Sequence, residues 1–134
     1  MKDFAKLVVY ARQELRRGEE YERYRPVSEA IRRINELLPR AHVEVVAASW
    51  CKDCRREVPH FARVSERLPA WTIDLLGDDA ATRARLGVDR IPTFIVRNSE
   101  TGQELGRIVE SPASDTLEDD LLAIAERHPS QIIA

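Results

Sequence analysis

Cys51 and Cys54 are the only cysteines in the 134-residue chain, and they stand three positions apart in "SWCKDC". Two thiols at that spacing can pass two electrons by closing and opening a disulfide. They can also supply half of a tetrahedral zinc site, or sit inert in a core. Zinc needs two further ligands from His42, His60, His128 or the carboxylates, and no second closely spaced pair of cysteines or histidines accompanies the first. Which chemistry applies depends on the elements that hold the two sulfurs.

Residues 42–48, "HVEVVAA", are β-branched and apolar, which predicts a strand buried on both faces that runs straight into Trp50-Cys51. From Cys51 to Leu68, the positions Val58, Phe61, Val64 and Leu68 follow helical spacing, and Pro59 inside this stretch predicts a kink. A strand, a tight turn and a helix therefore meet at the cysteines. Downstream, "WTIDLL" at 71–76 reads as a strand and "DDAATRARLG" at 78–87 as a short helix with an aspartate N-cap and a glycine stop. "TFIVRN" and "ELGRIVE" form two strands around the turn-like "SETG", and "SDTLEDDLLAIAER" closes the series as an amphipathic helix. Upstream, Phe4, Leu7, Val8, Ala11 and Leu15 predict a helix over 3–17 that stops at Gly18. A charged connector, "EEYERYRP", leads to a helix over 27–38 with Ile31, Ile34, Leu37 and Leu38 on one side and Pro39 at its end.

This length suits one domain, 1–134, and 43% hydrophobic with 33% charged residues is a globular composition. Net charge is −2, so no basic excess exists to hold nucleic acid, and no apolar run approaches the roughly 18 residues of a membrane span. The N-terminal stretch interleaves charges with its apolar positions, unlike a secretory signal, so the expected location is cytoplasmic, where a close cysteine pair is more often catalytic or metal-binding than structural. The order β-α-β-α-β-β-α with a right-handed crossover gives an α/β fold with a four-stranded mixed sheet and helices on both faces. Its cysteine turn lies at the C-terminal end of a strand, where open α/β sheets usually keep their sites.

"WCKDC", with Pro59 five residues after the second cysteine, and "RIPTF" at 90–94 together resemble the thioredoxin family. The resemblance spans a core at 42–127 and leaves residues 1–40 as a helical N-terminal extension. It implies a thioredoxin-like fold and a thiol–disulfide oxidoreductase that reduces protein disulfides, with Cys51 and Cys54 catalytic. Cys51, at a helix start that stabilises a thiolate, attacks, and Cys54, one turn on, resolves. Trp50, Lys52, Asp53, Ile91, Pro92 and Thr93 are the expected substrate-binding residues, with Trp50 on the docking surface. Pro92 is expected to be cis, so that Ile91 offers main-chain hydrogen bonds to an extended client. No bound metal or cofactor is implied beyond the redox-active pair itself. The partners would be disulfide-containing client proteins and an external thiol or reductase as electron donor, with neither nucleic acid nor membrane.

Several positions depart from the family pattern. The buried aspartate that assists the resolving cysteine in many thioredoxins is replaced by Val45, and neighbouring Glu44 should face the other side of the strand, as a satisfied strand charge. Lys52 and Asp53 replace a common Gly-Pro and pull the thiol pKa in opposite directions. Glu110 replaces a small glycine near the site and should disfavour acidic partners. Arg16-Arg17, Arg32-Arg33 and Arg55-Arg56 read as solvated faces, His60 as a packed or solvated histidine, and the N-terminal helices as core packing over a sheet edge or face. Val45 and Glu110 motivate an alternative function, a redox-sensing or interaction module switched by the Cys51–Cys54 disulfide.

Overall fold

The strand that leads to the cysteines lies in the middle of the sheet. In a computed structural model, which describes residues 4–14 and 19–129, α1 (Phe4–Val9) widens into a π-helical turn over Tyr10–Glu14. There follow α2 (Glu19–Arg23), α3 (Ser28–Leu37), β1 (Ala41–Ala47), α4 (Lys52–Ser65), β2 (Trp71–Gly77), α5 (Ala80–Leu86), β3 (Thr93–Arg97), β4 (Glu104–Val109) and α6 (Leu117–Arg127). The sheet order is β2-β1-β3-β4, with β1 parallel to β2, antiparallel to β3, and β3 antiparallel to β4. Among the described residues no helix is long and apolar enough to cross a membrane.

Strand alternation sorts the sheet into two unlike faces. Val43 pairs with Ile73 and Val96, and Val45 with Leu75 and Phe94, so these side chains share one face. Against it packs α4, whose Phe61 meets Phe94 with ring centroids 5.3 Å apart. Helix α6 lies over β4 at Gly106, where an added Cβ would come within 2.9 Å of Ile124 Cγ1. On the other face Arg107 donates to the carbonyls of Leu86 and Gly87 at the end of α5, each 3.1 Å away. That face is polar along β1: His42 lies 2.6 Å from Thr72 Oγ1 and 3.0 Å from Asp74, and Arg97 donates to Glu44 at 2.7 Å. The expectation of burial on both faces therefore holds only for the last part of β1, Val45–Ala47, since His42 and Glu44 are half-buried.

Two N-terminal expectations need correction. The "EEYERYRP" connector contains α2, too short for periodicity to reveal, whose acidic first turn suits a helix start. Of the helix expected over 3–17, the described part is α-helical over Phe4–Val9 and π-helical over Tyr10–Glu14, and Leu15 and Gly18, like Arg16-Arg17, lie outside the described residues. Leu7, Ala11, Tyr21, Ile31 and Ile34 join the main core, so the extension is an integral layer. Helix α1 packs on β2 and α4, α2 on α4, and α3 on α6.

Polar groups tie the layer down. Fully buried Glu118 of α6 accepts from the Tyr24 hydroxyl and the Val27 N–H, both at 2.7 Å, and Trp71 Nε1 donates to the Leu38 carbonyl at 2.9 Å. His60 stacks on Tyr24 with ring centroids 3.8 Å apart, lies 2.8 Å from Glu20 of α2, and is 3.7 Å from Glu57. Burial opposes its charge, but the neighbouring Glu57 and Glu20 carboxylates outweigh burial and raise its pKa above the ordinary histidine value of 6.5. Burial likewise opposes the charges of Glu20 and Glu57, yet His60, with Arg23 beside Glu20 and Arg56 beside Glu57, lowers both carboxyls. The histidine's contribution is present below 6.5 and fades as pH rises through its raised value, whereas the carboxylates' contribution fades on acidification below 4.5. The destabilisation caused by His60→Gln should be largest at about pH 6 and shrink towards about pH 9. Urea unfolding of both proteins across that range checks it, and a pH-independent difference would contradict it.

Candidate active site

Strand β1 delivers the chain through Ala48, Ser49 and Trp50 to Cys51, which is the N-cap of α4 with φ −85° and ψ 126°. An N-cap side chain must accept a hydrogen bond from the first turn, and here the acceptor is sulfur: Cys51 Sγ receives the Cys54 N–H at 3.2 Å. Across the site its thiol faces the Ile91 carbonyl at 3.6 Å. The Ile91–Pro92 peptide bond is cis, and the Pro92 carbonyl accepts the Glu110 N–H at 2.7 Å. The reactive loop and the end of β4 are thus held together through main-chain atoms.

The two thiols, both free, differ sharply in setting. Cys51 is 8% exposed at the surface end of the helix, and Cys54 is wholly buried one turn below. Burial pushes the Cys54 thiol far above the ordinary thiol range, and the hydrogen bond with Cys51 adds to this, against a main-chain hydrogen bond at Ala48 that opposes it. Val45 is fully buried in the α4-side core. Glu44 turns to the opposite face as expected, paired with Arg97 at 2.7 Å, and offers no carboxylate to Cys54.

The remaining predicted positions surround this pair unequally. Trp50 is 70% exposed beside Cys51. Lys52 is exposed, while Asp53 is held by Arg56 at 3.1 Å. Ile91 and Pro92 form the buried floor, and Thr93 turns its hydroxyl inward to donate to the Arg90 carbonyl at 2.6 Å. Two residues take part in ways that sequence reasoning does not give them: Arg55 is expected on a solvated face, and Arg90 has no expected role. Arg55 donates to the Ser49 and Trp50 carbonyls at 3.3 and 3.0 Å and so braces the turn, and Arg90 pairs with Glu110 at 3.2 Å. Spacing carries no signal for such contacts, because each depends on where a long flexible side chain settles. Glu110 also adopts a left-handed φ of 67°, the kind of position where glycine is favoured. Among the described residues no three His, Cys, Asp or Glu side chains gather as a metal site would require.

Comparison with known proteins agrees with this geometry. Residues 2–118 match the family model described as thioredoxin. Thioredoxin C-3 of Corynebacterium nephridii is 37% identical over 73 residues, 53% of this chain and 48% of that protein, so the match spans about half of the relative's length. A Pseudomonas aeruginosa protein of unknown function shares the architecture with a TM-score of 0.63 at 25% identity, over 95% of this chain and 86% of that one. A mutant thioredoxin from Halobacterium salinarum superposes with a TM-score of 0.50 at 18% identity, over 69% of this chain and 78% of its own, a likeness of fold.

The residual exposure of Cys51 and the raised pKa of buried Cys54 predict that iodoacetamide alkylates Cys51 on the order of 10² times faster than Cys54 in the folded, reduced protein, and both equally after denaturation. Peptide mapping by mass spectrometry reads the two rates; equal labelling in the native state would contradict the arrangement.

Proposed function

This chain belongs to the thioredoxin family, and we propose that it reduces protein disulfides by dithiol–disulfide exchange, with Cys51 as the attacking sulfur and Cys54 as the resolving one. The observation that carries the assignment is the asymmetry of the pair: Cys51 caps α4 and keeps 8% of its surface exposed, whereas Cys54, one turn below, keeps none. The cap supplies the Cys54 N–H and the positive end of the helix dipole to a Cys51 thiolate.

In the first step the Cys51 thiolate attacks one sulfur of the client disulfide, that S–S bond breaks, and the second client sulfur leaves as a thiolate that takes a proton from solvent. In the second step Cys54 loses its proton to solvent and attacks Cys51 Sγ; the bond to the client breaks, the client sulfur leaves as a thiolate that takes up a proton, and the Cys51–Cys54 disulfide forms. Two electrons have then passed to the client, and an external thiol or reductase returns them. The exchange needs no metal or bound cofactor. Exposed Trp50 and the Ile91–Pro92 loop flank the attacking sulfur, which supports their role in docking a client segment, with Lys52, Asp53 and Thr93 around them. A reducing compartment such as the cytoplasm suits this direction of electron flow.

Two outcomes test the mechanism. Cys51→Ser should abolish disulfide reduction, while Cys54→Ser should trap a mixed disulfide visible on a non-reducing gel; full activity in Cys51→Ser would sink it. Since Val45 supplies no base and burial holds the Cys54 proton tightly, resolution should accelerate about tenfold per pH unit between about pH 7 and 9, as the thiolate fraction grows. Single-turnover release of a client from preformed mixed disulfide measures this, and a flat profile would contradict it.

A further inference from the structure

The charges beside Cys51 are unequally neutralised. Arg56 is taken by Glu57 at 2.7 Å and Asp53 at 3.1 Å, and Arg23 by Glu20 at 2.9 Å, which His60 also engages. Lys52 has no carboxylate partner among the described residues, and the donors of Arg55 go to the neutral carbonyls of Ser49 and Trp50. An open cleft of about 490 Å³ between α2 and the start of α4 is lined by Arg23, Arg56, Lys52, Arg55, Glu19 and Glu20; with Arg23 and Arg56 paired as above, Lys52 and Arg55 stand against Glu19. On the other flank, Glu110, expected to repel acidic partners, is held by Arg90. The site's unpaired charge is therefore positive, and Arg55 is no mere solvated surface residue.

We propose that this cleft recognises acidic client segments, in which Asp or Glu side chains near the reactive cysteine pair with Lys52 and Arg55 while the disulfide lies over Cys51. The proposal rests on the reductase reading above. An extended polypeptide is the fitting occupant because the cleft opens one residue beyond Cys51 while exposed Trp50 lies on the preceding side, so a partner covering both must be longer than a small thiol. Exposed charges of this kind act mainly on encounter and specificity, within a screening length of about 10 Å at 0.1 M salt, a range that residues adjoining Cys51 fall within.

Three synthetic peptide disulfides, identical apart from Asp, Ser or Lys residues flanking the cysteine, test it. The expected kcat/KM for the acidic peptide at low salt exceeds that of the basic one about tenfold, and the ratio falls towards one in about 0.5 M NaCl. A Lys52→Gln/Arg55→Gln double variant should reduce the ratio to within about twofold, with the wild-type salt dependence standing as an independent arm if the variant folds poorly. Versions of the peptides with Ser in place of Cys, titrated against Trp50 fluorescence, read binding without turnover. Equal rates and equal binding for all three peptides would overturn the cleft and leave the reductase assignment standing. No reduction of any peptide, with tighter binding of the acidic Ser version, would overturn the reductase assignment and support the cleft. Neither reduction nor preference would overturn both.

Discussion

The hydrogen bond from the Cys54 N–H to Cys51 Sγ makes the reactive atom the cap of its own helix. Most helices assign capping to Ser, Thr, Asp or Asn, and losing the cap costs about 1 kcal/mol. A sulfur in that position ties the thiol to the structure, because it takes the place of the oxygen that usually accepts the N–H groups beginning a helix. The helix must then begin at the surface while its second cysteine lies inside, and that requires β1 to end beside it. With β2 on one edge and β3 on the other, β1 provides that fixed end.

What covers the sheet follows from the same constraint. Helix α4 must lie flat on one face to bury Cys54, Val58, Phe61 and Ala62, and α6 joins it where Gly106 leaves room. The N-terminal layer packs onto these helices more than onto the strands, and its polar ties converge on them: Glu20 on His60, Tyr21 on Glu66, Tyr24 and Val27 on Glu118. Buried carboxylates such as Glu118 persist because their oxygens are satisfied. The opposite face, less fully covered, keeps His42, Asp74, Glu44 and Arg97 in paired contacts that suit partial exposure.

The cysteine corner is legible in the sequence because its determinants are local. A β-branched run, a Trp-Cys-x-x-Cys turn and a helical repeat lie in consecutive residues, and the caps of α5 emerged as read: Asp79 accepts the Thr82 N–H at 2.8 Å, and Gly87 ends the helix with φ 64°. The polar half of β1 was misread because "HVEVVAA" does not reveal that His42 and Glu44 find Thr72, Asp74 and Arg97 on neighbouring strands. Helix α2 is five residues long and is held by tertiary contacts with α4, which no periodicity encodes. The balance of charge around the site was hidden for a similar reason. Glu110 is not a bare repulsive carboxylate, because Arg90, twenty residues earlier, pairs with it.

The position of β1 also divides the site by local stability. Its main chain is bonded on both edges, so opening the strand requires disrupting both β2 and β3, and such amides exchange with solvent only in large, rare fluctuations. Helix α2, with one short turn and side-chain anchors, belongs to the segments that open by small local excursions. One wall of the cleft beside Cys51 therefore belongs to a segment that opens locally, while the sulfur is held beside the slowest-opening part of the molecule.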